Sequence, residues 1–461
     1  MAMIAILIIG AEAVLLCLPA RMMRWAMKYS KFNTAMAFNL PKITLFLAIT
    51  VMISCANGVK DDSQKIKDKR LDSIKTENTI AQNQKSSIVN QEIILGANRT
   101  EAYIPLLQGK RIGIVGNPSS LILKKDGRTY THLVDSLLLR KLNIVKVFSP
   151  EHGFRGTADA GEKVKDGKDL KTGLPIVSLY GNNRKPKPEQ VKDLDILVFD
   201  IQDVGVRFYT YVATMHYVMQ AAAENNIEII VLDRPDPNGS YVDGPVMEAA
   251  HTSFLGMHAG VPLVHGMTVG EYAQMINGEG WLGDGLTAKL TVIPMKNYNH
   301  ALAYSLPVRP SPNLPNDQSI NLYPSLGLCE GTNLNAGRGT EMQFQVLGSP
   351  YLPAGQYTLS YTPVPNFGSK SPKHNGELCH GIDLRQVPPM HEVDLSWIID
   401  AYHAHTNKEN FFLTSGFTKH AGTDTLQKQI ESGMTMDEIR ESWQPGLAAF
   451  KKIRARYVLY K

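Results

Sequence analysis

The chain between residues 110 and 294 alternates short apolar runs with stretches of helical periodicity. The apolar runs cover residues 111–115, 144–148, 176–179, 196–201, 227–232 and 290–294, and the clearest helical patterns cover 131–142 and 212–224. Because the runs are continuously apolar, both faces of the sheet that they form should be covered. The pattern predicts an α/β fold in which helices flank a Rossmann-like parallel sheet.

The pattern changes after residue 304. Five prolines between Pro307 and Pro324 interrupt an irregular segment, and glycine-rich turns follow at residues 331–339. Two β-like runs (342–347 and 356–362) and two helical stretches (395–403 and 436–456) come next, and Thr435 and Glu438 have the spacing of a capping box. We expect a Rossmann-like domain over residues 89–304 and a second, smaller α+β domain over residues 305–461.

Residues 1–55 have the features of an export segment. A first apolar run is followed by basic residues, and a second, from 43 to 53, follows Lys42 and ends at Ser54-Cys55. The second unit is typical of a lipoprotein signal, in which Cys55 is lipidated and becomes the first residue of the mature protein. The alternative is a pair of membrane-proximal helices with Cys55 as a buried thiol, although a membrane span needs ~20 apolar residues.

Residues 56–88 are polar and charged, with almost no large apolar side chains. Such a segment cannot bury enough surface to fold, so we expect a flexible tether. Together with the anchor, it predicts an exported protein held at a membrane of the cell envelope, in the periplasm or at the outer membrane.

Composition and charge narrow the function classes. Hydrophobic residues make up 43% of the chain and charged residues 20%, which is typical of a soluble globular protein. The net charge is +5 without a long basic run, so a nucleic-acid-binding face is not indicated. Beyond the tether only Cys329 and Cys379 remain. They are too few for a disulfide scaffold, although they could pair in an oxidising compartment.

Polar residues follow each predicted strand. Glu151 and His152 come after the second strand, residues 200–209 after the fourth, and Asp233 with Arg234 after the fifth. The carboxyl ends of parallel strands meet at one edge of a sheet, where ligands bind, so these side chains should converge there. Each tip also has a structural explanation as a turn glycine, a helix cap or an ion pair. Glu151 is not at a position where it would cap a helix, which favours a functional role for it.

Other chemistries lack their motifs. The glycines after the first strand do not form G-x-G-x-x-G and no Walker lysine follows, so a bound nucleotide is not expected. The sequence has no H-E-x-x-H or paired-cysteine spacing for a metal, and no G-x-S-x-G for a serine nucleophile. What remains is acid–base chemistry by carboxylates, as in glycosidases.

Short motifs stand in order from residue 150 to residue 340. They are PEHGFRG (150–156), FDIQDVGVRFYTY (199–211), DRPDP (233–237), GP (244–245), HGMTVGE (265–271), EGTN (330–333) and GRGT (337–340). Together they resemble the NamZ family of exo-β-N-acetylmuramidases, formerly a domain of unknown function, and the likeness runs from about residue 101 to residue 461. It implies a cleft between the two domains as the active site, and exo-lytic release of N-acetylmuramic acid from the non-reducing ends of peptidoglycan-derived glycans. It implies no metal or organic cofactor.

The resemblance places the catalytic glutamate of the family at Glu151, which would donate a proton to the leaving glycosidic oxygen. The second catalytic group stays open. Asp203 and Glu330 lie in dense motifs, Asp200 and Glu162 are further candidates, and the 2-acetamido group of the sugar could act instead.

The substrate suggests further contacts. The lactyl carboxylate of N-acetylmuramic acid requires a cation, for which the candidates are Arg155, Arg207, Arg234 and Arg338. Tyr209 and Tyr211 would stack on the sugar ring, or would only pack. The remaining candidates for substrate contact are His152, Asp200, Asp233, His265 and Asn333, of which the two histidines are equally explained as hydrogen-bonded core residues.

Two other functions compete with this hypothesis. The same cleft could bind muramyl ligands without cleaving them, or a carboxylate-based amidase or an esterase could act on cell-wall substituents. The products distinguish them: free N-acetylmuramic acid, a released peptide or acyl group, or none.

Overall fold

Strands and helices alternate along the first half of the chain, as the apolar pattern predicted. The strands, numbered in chain order, are β1 (Ile112–Gly116), β2 (Leu121–Leu123), β3 (Tyr130–His132), β4 (Ile144–Ser149), β5 (Gly167–Lys168), β6 (Pro175–Ser178), β7 (Ile196–Asp200), β8 (Glu228–Leu232), β9 (Asp243–Val246), β10 (Pro262–Val264), β11 (Lys289–Ile293), β12 (Val346–Ser349), β13 (Leu359–Tyr361) and β14 (Cys379–Asp383). The computed structural model describes residues 92–127, 129–155 and 166–461.

In the part of the chain that the structure describes, six α-helices lie between residues 100 and 326, and four more follow residue 395. They are α1 (Thr100–Leu107), α2 (Leu133–Leu139), α3 (Pro188–Val191), α4 (Tyr211–Glu224), α5 (Val269–Gly278), α6 (Asp317–Leu326), α7 (Ser396–Ala404), α8 (Thr414–Ala421), α9 (Thr425–Glu431) and α10 (Met436–Arg454). Among the described residues, no helix is both long enough and apolar enough to cross a membrane.

A seven-stranded sheet forms the centre of the fold, in the order β11-β8-β7-β1-β4-β6-β5. Its pairs are parallel except β5–β6, which is antiparallel. Every residue of β1 and β7 is buried, as expected for strands covered on both faces. The predicted parallel sheet is confirmed, and the two-residue strand β5 is an addition to it.

The strand order reverses at β1. The chain passes from β1 to β4 and β6 on one side, and then returns to β7 on the other side of β1. At such a point the loops after neighbouring strands diverge and leave a crevice at the carboxyl edge. The tips of β1, β4 and β7 surround it.

Three predicted boundaries differ from the structure. Residues 131–132, expected in a helix, belong to β3, which pairs with β2, and the helix begins only at Leu133. The β-like run at 342–347 becomes a strand only at Val346, because Phe344 has a φ of +52°. A left-handed residue cannot continue a strand. The second run, at 356–362, forms a strand only over Leu359–Tyr361.

The capping box at the start of α10 is confirmed. The Glu438 N–H donates to Thr435 Oγ1 at 3.3 Å, and the Thr435 N–H donates to Glu438 Oε2 at 2.8 Å. Trp443, Leu447 and Phe450 then bury one face of the helix at a spacing of three to four residues.

The remaining predictions concern the N-terminal segment, the cysteines and the domain boundary. Cys55, the tether and Glu162 lie outside the described residues. Cys329 and Cys379 are both buried free thiols, so the pairing considered for them does not occur in this structure. The described residues belong to one compact unit from Asn90 to Lys461, and the domain boundary at residue 304 stays a prediction.

Candidate active site

A pocket of about 240 Å³ lies at the carboxyl edge of the sheet, beside the segments that follow β4 and β7. Its lining combines two carboxylates, an arginine, two histidines and several aromatic rings: Glu151, His152, Phe208, Tyr209, Thr210, Tyr211, Leu255, Ser311, Asn313, Leu314, Tyr323, Glu330, Arg338, Phe344 and His420. A larger cavity of about 900 Å³ lies between the loops after β8 and β11 and the end of α10, and contains none of the predicted site residues.

A tight turn directly after β4 positions Glu151. The Gly153 N–H donates to the Pro150 carbonyl at 3.2 Å and closes the turn. His152 has a φ of +70°, and Gly153 follows with +79°. A left-handed conformation costs a non-glycine residue about 1–3 kcal/mol and persists only where the surroundings enforce it. The turn brings both Glu151 and His152 to the pocket, as the sequence predicted.

Two hydroxyl groups lie close to the half-buried Glu151 carboxyl. Thr210 Oγ1 donates to Glu151 Oε2 at 3.0 Å, and the Tyr180 phenol is a near neighbour of the same carboxyl. Burial first, and then the nearby Glu151 carboxylate, raise the pKa of Tyr180 to about 12. The phenol is therefore protonated at neutral pH and is available as a donor.

Glu330 and Arg338 bring an ion pair to the same pocket. Arg338 Nη1 lies 2.7 Å from Glu330 Oε1, and the two side chains are 24% and 30% exposed. Lys373 Nζ lies close by, donating to the Cys329 and Thr332 carbonyls at 2.6 and 2.7 Å. Burial alone would raise the pKa of Glu330, but Arg338 and Lys373 together hold it below its ordinary value. Glu330 is therefore an ionised carboxylate at neutral pH.

Aromatic rings form a wall of the pocket. Tyr209 and Tyr211 meet edge to face with centroids 4.9 Å apart, as do Tyr323 and Phe344, and Tyr323 lies 5.9 Å from Tyr209. Burial raises the pKa of all three tyrosines well above the ordinary value, so they stay neutral. The rings present apolar surface of the kind that the face of a sugar ring can pack against.

Asn313 adds a buried amide. Its Nδ2 donates to the Gly368 carbonyl at 2.6 Å, while its Oδ1 has no partner among the described residues, although the residue is only 3% exposed. An unpaired buried acceptor costs about 1–3 kcal/mol. A bound group that carries an N–H or O–H would satisfy it.

Asp200 and Arg234, predicted to bind substrate, form a buried ion pair instead. Arg234 Nε and Nη2 donate to the two Asp200 carboxylate oxygens at 2.7 and 2.9 Å, and the side chains are 2% and 0% exposed. Arg234 Nη2 also donates to the Leu121 carbonyl. The pair uses the guanidinium inside the fold, and neither residue lines the pocket. The predicted ligand contact of both residues stays a prediction.

Arg207 is another buried arginine that the sequence analysis listed as a candidate for binding the substrate carboxylate. It is 1% exposed, and its guanidinium donates to the carbonyls of Pro245, Val261, His420 and Ala421 at 2.6–3.0 Å. These contacts join β9 and the start of β10 to the end of α8. Arg207 thus holds the fold together and is not placed to bind a substrate carboxylate.

Arg155 faces its own carboxylates. Arg155 Nη2 lies 3.0 Å from Asp135 and 2.8 Å from Asp169. These two carboxylates engage the guanidinium, and Arg155 does not line the pocket. Of the four predicted arginines, Arg338 is the one that reaches the pocket.

Asp233, His265 and Asn333 also lie away from the pocket lining. Asp233 accepts from the Gly270 N–H, from Thr268 Oγ1 and from Tyr460 Oη at 2.5–2.9 Å, which fixes the start of α5. His265 is fully buried. The predicted substrate contacts of these three residues are not formed by this geometry.

Asp203, predicted as a catalytic carboxylate, is 4% exposed and does not line the pocket. Its Oδ1 accepts from the Gly205 N–H at 2.8 Å. Gly205 has a φ of +75°, and a Cβ there would lie 2.3 Å from Asp236 Oδ1, so a side chain at residue 205 would collide with the Asp236 carboxyl group. Burial raises the pKa of Asp203 to about 7 and that of Asp236 well above its ordinary value.

The sequence analysis missed several pocket residues and one neighbour of Glu151, Tyr180, that does not line the pocket. Thr210 stood inside a noted motif and Tyr180 at the tip of the third predicted strand, so a position at the carboxyl edge was the available signal for both. Asn313, Tyr323 and His420 come from irregular or later segments, where no sequence pattern pointed to the pocket.

Among the described residues, Glu248, His251 and Asp424 form a group with metal-ligand spacing, and none of them lines the pocket. The titratable and hydroxyl groups that line the pocket include Glu151, Glu330 and Thr210. An α/β sheet with such a site at its switch point defines an acid–base centre of the type that glycosidases use.

Comparison with known proteins identifies the family. Residues 112–318 match the N-terminal part, and residues 321–460 the C-terminal part, of the exo-beta-N-acetylmuramidase NamZ family. The chain belongs to this family, as its motifs indicated. It is 39% identical over 377 residues to the peptidoglycan beta-N-acetylmuramidase NamZ of Bacillus subtilis (strain 168), covering 78% of this chain and 89% of that protein.

Solved structures show the same fold. A DUF1343 family protein from Bacteroides fragilis NCTC 9343 is 43% identical with a TM-score of 0.73, and a second from the same organism is 28% identical with a TM-score of 0.69. Each match covers 80% of this chain and 99% of the other.

Proposed function

We propose that this protein is an exo-acting glycoside hydrolase that releases N-acetylmuramic acid from the non-reducing ends of peptidoglycan fragments. Membership of the NamZ family and the identity to a peptidoglycan beta-N-acetylmuramidase support the reaction. The observation that carries the assignment to this site is Glu151, held on a left-handed turn at the edge of the pocket.

The size of the pocket suits an exo-acting enzyme. Its volume of about 240 Å³ is below the roughly 300–1,000 Å³ of sites for drug-sized ligands. Such a pocket accepts one terminal sugar more readily than a length of glycan strand. The tyrosine wall packs against the ring, and the unpaired Asn313 Oδ1 accepts from the acetamido N–H or a hydroxyl.

Two carboxylates divide the chemistry. Glu151 acts as the acid that protonates the leaving glycosidic oxygen. Glu330, kept ionised by Arg338 and Lys373, supports positive charge at the anomeric carbon or activates water. Among the candidates for the second group that the structure describes, Asp200, Asp203 and Glu330, it is Glu330 that lines the pocket. Arg338, which lines the pocket, recognises the lactyl carboxylate.

The test is the release of N-acetylmuramic acid from a disaccharide with that sugar at its non-reducing end. Wild-type protein should release it, and Glu151→Gln should lose about 10²–10⁴-fold in kcat because the acid is gone. Glu441→Gln, an exposed position on α10, is the matched control and should keep full activity. Tight binding without release by wild type would instead favour a binding protein, and release of peptide or acyl groups would favour an amidase or esterase.

We further propose that the protein is exported and lipid-anchored through Cys55. The apolar run that ends at Ser54-Cys55 and the polar segment after it support this. Metabolic labelling with a fatty acid should mark the wild-type chain and leave Cys55→Ala unlabelled. Labelling of both chains would contradict the anchor.

A further inference from the structure

We propose that Thr210 and Tyr180 act together as positioning residues that hold the Glu151 carboxyl group in its working orientation. Neither residue was among the predicted site residues. The proposal rests on the proposed function, since it assigns these hydroxyls a role through Glu151. We refer to the two hydroxyl groups as the hydroxyl clamp.

Thr210 uses its hydroxyl in an unusual way. It occupies the N-cap position of α4, where a threonine side chain normally accepts a hydrogen bond from the first turn of its own helix. No such bond forms here. Instead, Thr210 Oγ1 donates to Glu151 Oε2 at 3.0 Å, across 59 residues of sequence. Thr210 has helical backbone angles (φ −72°, ψ 0°) in place of the extended ones of a capping residue, and its hydroxyl is directed to the carboxylate.

Tyr180 approaches Glu151 from a different strand tip. It stands two residues after β6, and its phenol is a near neighbour of the Glu151 carboxyl. The residue before it is fixed to the strand that carries the glutamate, because the Leu179 N–H donates to the Ser149 carbonyl at 2.8 Å. The loop is further fixed by Asn183, whose Nδ2 donates to the Ser178 carbonyl at 2.7 Å.

Glu151 needs such support because of its place in the chain. It lies on a turn and not within a strand or helix, and a glutamate side chain has several rotatable bonds whose freedom opposes a single orientation. Catalytic groups must be held within about 0.5 Å of their working geometry. Donors from the segments after β6 and β7 constrain the carboxyl group from two independent directions.

The decisive comparison uses paired variants on the disaccharide. Thr210→Val keeps the shape but removes the donor, and we expect kcat to fall about 10- to 100-fold with KM within about twofold of wild type. Thr210→Ser restores the hydroxyl and should recover most of the lost kcat. Tyr180→Phe should lose kcat in the same range. Thr214→Val, one turn further along α4, removes a buried hydroxyl that bonds only the Thr210 carbonyl, and should change kcat little.

An activated substrate tests whether the clamp acts through the acid. An aryl β-N-acetylmuraminide with a good leaving group needs less protonation, so the losses in Thr210→Val and Tyr180→Phe should shrink on it. The clamp is overturned if Thr210→Val and Tyr180→Phe both keep nearly wild-type kcat on the disaccharide, or if Thr210→Ser is as impaired as Thr210→Val. The proposed function still stands in that case, provided that wild type releases N-acetylmuramic acid and Glu151→Gln does not. Wild type that releases no N-acetylmuramic acid would overturn both. Tyr180 is half-buried, so Tyr180→Phe remains decisive if Thr210→Val does not fold.

Discussion

The tips of β4 and β8 carry similar polar residues in opposite surroundings. After β4, Glu151 is half-buried, lines the pocket and accepts a hydrogen bond from the Thr210 hydroxyl. After β8, Asp233 and Arg234 are 0% and 2% exposed, and each is fully engaged with partners inside the fold. A charged residue at a strand tip therefore serves chemistry only where its neighbours leave it accessible, and it otherwise becomes part of the core.

The comparison predicts that the two regions respond differently to mutation. Changes at the β8 tip should lower the stability of the fold, and changes in the pocket should lower activity in a protein that stays folded. The three predictions below test this separation, from the largest expected free-energy change to the smallest.

Arg234→Met should reduce the free energy of unfolding by about 3–5 kcal/mol, because it leaves the Asp200 charge buried without a partner. Urea denaturation measures this. Arg111→Met is the matched control: Arg111 also makes a bidentate contact, with Asp195, but the two side chains are 49% and 34% exposed. An exposed pair contributes little, so its loss should hardly change the midpoint. If the two variants lose the same free energy of unfolding, burial does not distinguish the β8 tip from an exposed ion pair.

Asp203→Asn should change how stability depends on pH. The pKa of Asp203 is about 7 in the fold and 3.8 unperturbed, so the folded state holds the proton more tightly. The contribution of Asp203 is fully present below pH 4 and is lost as the pH rises to about 7, by at most about 4 kcal/mol at 1.4 kcal/mol per pKa unit. Asparagine cannot ionise, so the variant should lose less stability between pH 4 and pH 7.

Unfolding curves at several pH values provide the measurement for Asp203. Asp400→Asn, at an exposed position of α7, serves as the control and should follow wild type. A variant whose stability falls as steeply as that of wild type would place the proton on another group, with Asp236 the first to examine.

Arg338→Met should lower kcat/KM for a substrate ending in N-acetylmuramic acid by about 10- to 100-fold, since a hydrogen bond to a charged group contributes about 1.5–3 kcal/mol. The midpoint of unfolding should move little, because the pair with Glu330 is partly exposed. A substrate whose terminal sugar lacks the lactyl group distinguishes recognition from general damage. If the loss is the same on both substrates, Arg338 does not recognise the lactyl carboxylate.

Much of the fold could be predicted because the relevant forces are local. Continuous apolar runs identified six of the strands in the central sheet, and Thr435 with Glu438 marked the start of α10. The errors arose where one residue overrode the pattern, as Phe344 does by its left-handed backbone. The two-residue strand β5 has too few residues for any periodicity.

The sequence by itself determined the parallel α/β sheet and the position of polar residues, Glu151 among them, at its carboxyl edge. These follow from periodicity and from the geometry of parallel strands. Only the tertiary structure decided which of the charged residues at that edge are accessible. Arg207, Arg234 and Arg338 are alike in sequence terms, but burial and hydrogen bonding depend on neighbours that are distant along the chain. The first two are enclosed by carbonyls or by a carboxylate, and Arg338 faces the pocket.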